Sequence, residues 1–275
     1  MFQFSQIKNG VIYPSTHRGN CLKAPENTWA AYQSAYNEGC RVIELDFSIT
    51  TDNRLAVIHD HRLDRTTNGQ GVVEEASWEY IKTLDAGSWF NEKFIGEKVP
   101  LLDDVVDWAI SKNIGLIAEV KQRNFPERLV PAMQNLFKKM PKAIDHILLL
   151  AFDHHLINQV KAVEPKLRLE CVTLARYNKQ LDSILASNAS SVSIEFPNFH
   201  LDDGLAYKKA GITTRLYLPE DKVNNDPIKK LSWTYGEDAE AKIIDWMQAG
   251  VIDMICYDDM TYMKNLIERA GLNWQ

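Results

Sequence analysis

Short apolar runs rich in β-branched residues alternate with amphipathic segments along almost the whole chain. Eight runs have the length and character of buried strands, and they span residues 11–16, 40–47, 115–120, 146–152, 168–174, 191–196, 212–218 and 253–257. Gly39, Gly211 and Gly250 each stand just before a strand, where a helix typically stops. Eight strands that each precede a helical or loop segment predict a (β/α)8 TIM barrel. A doubly wound open sheet is disfavoured because no G-x-G-x-x-G motif follows the first strand.

The connection after the second predicted strand is far longer than the others. The strand ends near Phe47 and the next helix begins near Leu101, whereas connections in α/β units usually contain about 2–6 residues. We therefore expect one catalytic TIM-barrel domain over residues 1–275, with an insertion at about residues 48–100. Active sites of TIM barrels lie at the carboxyl ends of the strands, so the insertion should lie beside the site. A second long segment, residues 219–237, follows the seventh predicted strand.

The composition excludes several functional classes. The 275 residues carry 31 basic and 37 acidic side chains, with a formal net charge of −6 and no basic stripe for a nucleic-acid partner. No apolar stretch is long enough to span a bilayer and the N-terminus does not resemble a secretory signal, so we expect no stable membrane insertion. The four cysteines form no C-x-x-C pair, which favours reduced thiols and a cytoplasmic location. The sequence indicates no oligomeric state.

Paired polar residues on two neighbouring predicted strands are candidates for chemistry. Glu44 and Asp46 are two residues apart, so their side chains leave the same face of the strand. Glu119 and Lys121 repeat this spacing at the end of the third predicted strand. If both pairs face the barrel mouth, three carboxylates converge, and ligation by oxygen alone suits Mg²⁺ or Ca²⁺. The spacing leaves open a second interpretation, in which Glu44 pairs with Lys121 and the other carboxylates are solvated.

Two histidines and an arginine complete this candidate site. His17 and Arg18 directly follow the first strand, and His59 closes the strand-like LAVIH run inside the insertion. Imidazole titrates near neutral pH, so one histidine can accept a proton while the other donates one. Arg18 offers a planar fork for phosphate oxygens, and Lys121 offers a point charge. The set favours metal-assisted phosphoryl chemistry, and the sequence contains no serine-nucleophile motif or P-loop.

The candidate residues lie in a series of spaced motifs. These are HRG (17–19), APENT (24–28), IELDFSITTDNRLAVIHDHRLDRTT (43–67), LDAGSWF (84–90), KVPLLDDVV (98–106) and AEVK (118–121). Together they closely resemble the glycerophosphodiester phosphodiesterase family, strongly over residues 12–121 and more weakly over the second half. The resemblance implies a TIM barrel with a small inserted subdomain after the second strand. It also implies that Glu44, Asp46 and Glu119 hold one divalent cation, Mg²⁺ or Ca²⁺.

The resemblance implies roles for the remaining candidates as well. In the family, the histidines that match His17 and His59 act as acid and base. The residues that match Arg18 and Lys121 contact the phosphate. By analogy with related barrel phospholipases, His17 is expected to be the base and His59 the acid.

The last third of the chain departs from the family pattern. The seventh predicted strand reads ITTRLYLPE instead of ending in a W-T-V-N-like run, with Tyr217 near the place of the pocket tryptophan. Trp233 comes later, in the long segment, and the eighth strand ends CYDD rather than threonine–aspartate. These changes affect the alcohol side of the pocket, so the head-group preference is not predicted. Glu26 could orient the arginine of the HRG motif, and Glu170 and Glu195 could face the barrel interior.

We predict a metal-dependent phosphodiesterase that uses His/His acid–base catalysis. Its substrate would be a small-molecule glycerophosphodiester, such as glycerophosphocholine or glycerophosphoethanolamine, and its products an alcohol and sn-glycerol 3-phosphate. One alternative is a lysophospholipase D or sphingomyelinase-D-like activity, which would call for an exposed apolar rim or a membrane-facing helix; neither is obvious in the sequence. The alternative of another class is a non-catalytic barrel that binds phosphodiesters, which would not require an acid–base pair.

Overall fold

Eight parallel strands form the centre of the molecule. A computed structural model describes residue 4, residues 10–219 and residues 227–275. The strands, numbered along the chain, are β1 (Val11–Thr16), β2 (Val42–Ile49), β3 (Leu55–Val57), β4 (Gly115–Val120), β5 (Ile147–Ala151), β6 (Arg168–Thr173), β7 (Ser191–Glu195), β8 (Thr213–Tyr217), β9 (Met254–Tyr257) and β10 (Asn273–Trp274). Within the described residues, eight of these strands form a closed ring in the order β1, β2, β4, β5, β6, β7, β8, β9. The ring is closed because β1 pairs with both β2 and β9. The predicted (β/α)8 TIM barrel is confirmed.

Helices cover the outside of this barrel. In the described part of the chain the α-helices are α1 (Trp29–Asn37), α2 (Trp78–Ile81), α3 (Leu102–Lys112), α4 (Leu129–Lys139), α5 (Ala143–His146), α6 (His154–Val163), α7 (Gln180–Ala186), α8 (Leu201–Lys209), α9 (Pro227–Tyr235), α10 (Ala239–Gln248) and α11 (Met260–Arg269). Gly211 and Gly250 lie just beyond α8 and α10 with φ values of 74° and 68°, the left-handed conformation that ends a helix most easily at glycine. None of the helices in residues 10–219 and 227–275 combines the length and the apolar character that crossing a membrane requires.

The predicted strand positions agree closely with the observed ones. The runs 11–16 and 115–120 coincide with β1 and β4. The run 40–47 is observed two residues later, because the backbone N–H of Cys40 still donates to the carbonyl of Ala35 at the end of α1 (3.1 Å). The other predicted runs are shortened by one residue at one or both ends.

Side chains alternate between the two faces of the barrel wall. In β2, Ile43 and Leu45 belong to the large apolar cluster between the strands and the helices. Val42 belongs to a second cluster inside the barrel, with Ile117 of β4 and Leu148 of β5 among its members. Positions 44 and 46 share the face of position 42, so their side chains enter the barrel.

The segment between β2 and α3 forms the small inserted subdomain that the sequence predicts. Its first strand, β3, pairs antiparallel with the end of β2, with Phe47 opposite Val57. Its remaining residues enclose an apolar cluster of their own, which includes Ile58, Leu63 and Leu84. β3 thereby fixes the position of the histidine that follows it. In the second long segment, residues 220–226 lie outside the described residues, and the chain continues with α9.

Candidate active site

Three carboxylates lie together inside the barrel, on β2 and β4. Asp46 and Glu119 occupy facing positions of the β2–β4 ladder, and Glu44 lies one inward-facing position before Asp46. One oxygen atom from each residue lies within 4.8 Å of the other two. All three residues are buried, with an exposed fraction of at most 8%. The structure therefore brings together the three residues that were expected to hold a cation.

Crowding of negative charge shifts the ionisation of this cluster. Burial, together with repulsion from Asp46, raises the pKa of Glu44 to about 7 and also raises the pKa of Glu119. Burial alone would raise the pKa of Asp46 too, but the positive charge of Lys121 is the strongest of several effects that lower it overall. Two of the three carboxylates thus carry negative charge that their protein surroundings do not fully stabilise.

Lys121 pairs with two members of the cluster. Its Nζ atom lies 3.1 Å from Oδ1 of Asp46 and donates a hydrogen bond to Glu119. Glu44 instead accepts a hydrogen bond from the backbone N–H of Arg18 at 2.8 Å. Among the described residues no ion pair joins Glu44 to Lys121, so the second interpretation of the spacing is not supported.

The donor set fits a hard divalent cation. Each of the three residues offers carboxylate oxygen, which Mg²⁺ and Ca²⁺ prefer over nitrogen or sulfur. Burial and repulsion from Asp46 raise the pKa of Glu44, so the protein alone does not fully stabilise a negative charge on this residue. A divalent cation held by Glu44, Asp46 and Glu119 would relieve this repulsion.

The loop after β1 holds Arg18 against the carboxylates. Arg18 has a φ of 56°, a left-handed conformation that is uncommon outside glycine. In this conformation its backbone N–H reaches Glu44 while its Nε lies 3.5 Å from Oδ2 of Asp46. A Cβ atom on Gly19 would lie 2.8 Å from the Cβ of Ala31, so the chain can follow this path only with glycine. This close approach accounts for the glycine of the HRG motif.

Asn27 fixes the orientation of Asp46. Its Nδ2 donates to Oδ2 of Asp46 at 2.8 Å, and its Oδ1 accepts from the backbone N–H of Asp46 at 3.3 Å. The hydroxyl of Tyr32 donates to the same Oδ1 at 3.0 Å. The sequence assigned Asn27 no such role, although it lies within the APENT motif.

A chain of ion pairs connects Arg18 to His59. Glu26 accepts from Nη1 of Arg18 at 3.0 Å and from two nitrogens of Arg65 at 2.7 and 2.8 Å. Arg65 also donates to both oxygens of Asp60, at 2.6 and 2.8 Å. Oδ1 of Asp60 in turn lies 2.7 Å from Nδ1 of His59. Glu26 therefore orients the arginine, as the sequence suggested, whereas Asp60 and Arg65 were not predicted.

The two histidines have oppositely shifted pKa values. Burial acts to lower the pKa of His17, but its hydrogen bond to Asp258 and the charge of Glu44 raise the pKa overall. Nδ1 of His17 and Oδ1 of Asp258 are 2.8 Å apart. For His59, burial is the largest effect and the pKa is lowered. Such a divergence is typical of residues that share acid and base roles.

A pocket of about 330 Å³ opens above these groups. One side of it is lined by the sequence-predicted residues His17, Arg18, Glu44, His59, Glu119 and Lys121. The other side is lined by Leu150, Phe152, Val172, Ser193, Glu195, Arg215, Tyr217, Leu218, Pro219, Cys256 and Tyr257. Trp233 is not among the lining residues, and its side chain on α9 is 86% exposed. Tyr217, the last residue of β8, lines the pocket.

A buried ion pair supports that second side. Nη2 and Nε of Arg215 lie 2.6 and 2.8 Å from Oε1 of Glu170, and the hydroxyl of Ser191 donates to Oε2 at 2.7 Å. Glu170 is fully buried and faces the barrel interior, as the sequence suggested. The pairing with Arg215 was not predicted.

The chain is similar in sequence to proteins of one enzyme family. It matches the glycerophosphoryl diester phosphodiesterase family over residues 17–261. It is 32% identical over 263 residues to the glycerophosphodiester phosphodiesterase of Caldanaerobacter subterraneus subsp. tengcongensis, and the alignment covers 93% of this chain and 97% of that relative.

Solved structures share the fold of this chain. A phosphodiesterase from Oleispira antarctica, determined in complex with the product sn-glycerol-3-phosphate, has a TM-score of 0.76 at 21% identity and covers 94% of this chain and 97% of its own. A glycerophosphodiester phosphodiesterase from Agrobacterium tumefaciens str. C58 has a TM-score of 0.67 at 26% identity, over 90% of this chain and 96% of its own. The chain belongs to the glycerophosphoryl diester phosphodiesterase family.

Proposed function

We propose that this chain is a metal-dependent phosphodiesterase that hydrolyses glycerophosphodiesters to an alcohol and sn-glycerol 3-phosphate. The observation that carries the proposal is the buried cluster of Glu44, Asp46 and Glu119, which shares a pocket with His17 and His59. Membership of the family and the similarity to the Caldanaerobacter relative support the same reaction. A pocket of about 330 Å³ suits a small-molecule substrate.

The proposed cation is Mg²⁺ or Ca²⁺, held by Glu44, Asp46 and Glu119. When bound, it would supply Lewis-acid stabilisation of the charge that develops on the phosphate. The surrounding residues prepare the site: the backbone of Arg18 holds Glu44, and the side chain of Asn27 holds Asp46. The ligands would therefore need little rearrangement.

Arg18 and Lys121 are the proposed phosphate contacts. Both line the pocket, and both lie beside Asp46, at 3.5 and 3.1 Å. Glu26 holds the guanidinium of Arg18 from behind, and Lys121 reaches toward the open pocket, with Nζ 6.0 Å from the ring centre of Phe152. A phosphate beside the carboxylate cluster would thus meet a planar fork on one side and a point charge on the other.

His17 and His59 are the proposed proton-transfer groups. Their Nδ1 atoms are taken by Asp258 and Asp60, at 2.8 and 2.7 Å, which leaves Nε2 of each ring for the substrate. In the metal-free protein the raised pKa of His17 favours an acid, and the lowered pKa of His59 favours a base. A bound cation would offset the charge of Glu44, which contributes to the raised pKa of His17, so these directions do not overturn the assignment of His17 as base and His59 as acid.

An assay of glycerol 3-phosphate release from glycerophosphocholine tests the proposal. We expect turnover that EDTA abolishes and that added Mg²⁺ or Ca²⁺ restores. Turnover that survives exhaustive chelation would contradict the metal requirement. Binding of the diester without turnover, with either ion present, would favour the non-catalytic barrel instead.

A lysophospholipase D or sphingomyelinase-D-like activity is the second candidate, and one observation favours it. Phe152, Leu174 and Tyr177 are 50–59% exposed and line a groove of about 370 Å³ at the mouth of the barrel. This groove shares Phe152 and Val172 with the main pocket, so an acyl chain could leave the pocket along it. An exposed apolar rim, which is not obvious in the sequence, is therefore present in the structure.

Kinetics with a matched lipid separate the two candidates. Lysophosphatidylcholine below its micelle concentration and glycerophosphocholine share the head group and differ by the acyl chain. If the lipid is the substrate, its kcat/KM should exceed that of the water-soluble diester, and Leu174→Ser should lower only the value for the lipid. A lower kcat/KM for the lipid, unaffected by Leu174→Ser, would eliminate the second candidate.

A further inference from the structure

The two ends of a bound diester would meet opposite sides of the barrel. β2, which carries two of the metal-site carboxylates, and β7 are four positions apart in the closed ring of eight strands, so they face each other across the pocket. Glu195 is the last residue of β7, and its side chain lines the pocket. A substituent that extends from a phosphate at β2 and β4 across the mouth would therefore approach Glu195.

Glu195 differs from the other carboxylates of the pocket. Glu44 accepts a hydrogen bond from the backbone of Arg18, and Glu119 is paired with Lys121. For the side chain of Glu195, residues 10–219 and 227–275 provide neither a hydrogen bond nor an ion pair. It is half-buried, and burial raises its pKa. Removing a carboxylate from water without giving it a partner costs free energy, and the interaction with a bound cation would offset this cost.

The neighbouring arginine is paired with a buried glutamate, which reduces its repulsion of a cation here. Arg215 lies on β8, the strand next to β7, and lines the same pocket. Its Nε and Nη2 atoms both contact Oε1 of Glu170, at 2.8 and 2.6 Å. The buried pair carries no formal net charge, and among the described residues Glu195 remains an uncompensated charge at this position of the pocket wall.

Aromatic residues line the same pocket. Tyr217 pairs directly with Glu195 in the β7–β8 ladder, and both line the pocket. Phe152, directly after β5, and Tyr257, the last residue of β9, line it as well. An aromatic face attracts ammonium and quaternary ammonium groups, and the attraction grows when the site excludes water.

From this arrangement we propose that Glu195 and Tyr217 form a subsite for a cationic alcohol, so that the preferred substrates are glycerophosphodiesters whose head group carries an ammonium or trimethylammonium group. The inference rests on the proposed function and adds to it a choice among head groups. Neutral alcohols such as glycerol would fit the same space without gaining the charge interaction. Anionic alcohols would be repelled by Glu195.

Kinetics with three diesters that share the glycerophosphate half test this subsite. For glycerophosphocholine and glycerophosphoethanolamine, Glu195→Gln should lower kcat/KM by about tenfold or more, which corresponds to about 1.4 kcal/mol. For glycerophosphoglycerol, whose head group is neutral, the same variant should stay within about threefold of the unmodified protein. Glu127→Gln, which changes an exposed carboxylate beyond β4, is the matched control and should leave all three values unchanged.

Substitutions of Tyr217 test the subsite independently. Tyr217→Phe keeps the ring and should retain the preference for cationic head groups, whereas Tyr217→Leu should reduce it. An equal loss on all three diesters, in Glu195→Gln and Tyr217→Leu alike, would mean that these residues support the fold rather than the head group. Full activity of Glu195→Gln on glycerophosphocholine would also overturn the inference.

A binding measurement distinguishes failure of this inference from failure of the proposed reaction. Choline chloride is titrated into the unmodified protein and into Glu195→Gln by calorimetry. Choline binding that is weakened by the substitution supports the subsite even if no diester is hydrolysed, in which case only the proposed reaction fails. Hydrolysis of all three diesters with choline binding that is absent, or equal in both proteins, contradicts the subsite alone.

Discussion

Oδ1 of Asp258 lies 2.8 Å from Nδ1 of His17, although 241 positions separate the two residues in the chain. They meet because β1 and β9 are paired where the barrel closes, and each residue directly follows its strand. A carboxylate at Nδ1 fixes the tautomer and the orientation of the ring and stabilises its charged form. Asp258 is therefore a positioning residue for the proposed catalytic histidine.

We expect Asp258→Asn to lower kcat by about 10- to 100-fold. This loss is no larger than the smallest loss expected when a proton-transfer group itself is removed, about 100-fold. The amide keeps the size of the side chain but removes an interaction that raises the pKa of His17, so the limb of the pH–rate profile that belongs to His17 should move to lower pH. Cys21→Ala is the control. The Cys21 thiol also contacts Oδ1 of Asp258, at 3.4 Å, but its removal should not move the pH–rate profile. A reduced kcat with an unmoved profile would show that Asp258 acts only on packing.

Each of the substitutions Glu44→Gln, Asp46→Asn and Glu119→Gln should abolish both metal binding and turnover. The amides are close in size to the carboxylates but are poor ligands for a hard cation. All three variants should fold nearly normally. Without metal, Glu44→Gln should have a Tm no lower than that of the unmodified protein, because burial and Asp46 disfavour a charge at Glu44. Calorimetric titration with Mg²⁺ and Ca²⁺, together with thermal unfolding, checks both points. Unchanged binding in all three variants would eliminate the site.

His17→Ala and His59→Ala should each lower kcat by about 10²–10⁴-fold. The double variant should lose less than the product of the two single losses, because the residues act as a unit. His61→Ala is the control: its Nδ1 lies 3.3 Å from Oε1 of Glu74, and the residue is not among those that line the main pocket. If His61→Ala were as damaging as His59→Ala, His59 would not be the specific proton-transfer group of the HDH run.

The same variants identify the acid when the alcohol is replaced by 4-nitrophenol, which departs without a proton. A substitution of the general acid should then cost little, whereas a substitution of the base should cost as much as before. The assignment expected from the sequence, with His17 as base and His59 as acid, predicts a large effect for His17→Ala and a small one for His59→Ala. The opposite result would exchange the two roles, in the direction that the pKa values favour without the cation.

Much of the site was predictable because it follows from strand periodicity. Glu44 and Asp46 share the inward face of one strand, and Glu119 lies on the strand that pairs with it, so spacing alone brings them together. The pairing of Lys121 with Asp46 and Glu119 rather than with Glu44 depends on the register between β2 and β4, which spacing does not determine.

Contacts between distant strands could not be predicted in the same way. A single aspartate after the last barrel strand has no periodic signal, and Asp258 gains its role only when barrel closure places β9 beside β1. The pair of Glu170 and Arg215 bridges β6 and β8, which are not hydrogen-bonded neighbours. A comparison of the polar residues at the ends of the first and last barrel strands would have identified Asp258. It would not have identified the buried pair of Glu170 and Arg215.

Metal affinity should depend on pH through Glu44. The pKa of Glu44 is about 7 in the metal-free protein, and a cation binds the carboxylate rather than the carboxylic acid. Below pH about 7, each metal ion must therefore displace a proton, and the apparent Kd should rise by about tenfold per unit fall in pH; above it, the Kd should level off. Calorimetry in two buffers of different ionisation enthalpy measures the released proton directly. A Kd that does not change between pH about 5.5 and 7 would contradict the prediction.

A 2-deoxy analogue of glycerophosphocholine tests the chemical route. If the glycerol hydroxyl attacks phosphorus, a cyclic phosphodiester forms before water enters, and holding this internal nucleophile in place replaces much of the entropic cost of recruiting water. One histidine would remove the hydroxyl proton while the other protonates the departing alcohol, and the roles would reverse when the ring opens. The analogue keeps the phosphate that Arg18 and Lys121 are proposed to bind but lacks the nucleophile, so its kcat should fall far more than its KM rises. With the natural substrate, a transient cyclic phosphate should be detected by ³¹P NMR.

Brisk hydrolysis of the analogue would mean that water attacks phosphorus directly. The proposed roles of the carboxylates and of Arg18 would stand, but neither histidine would take a proton from the glycerol.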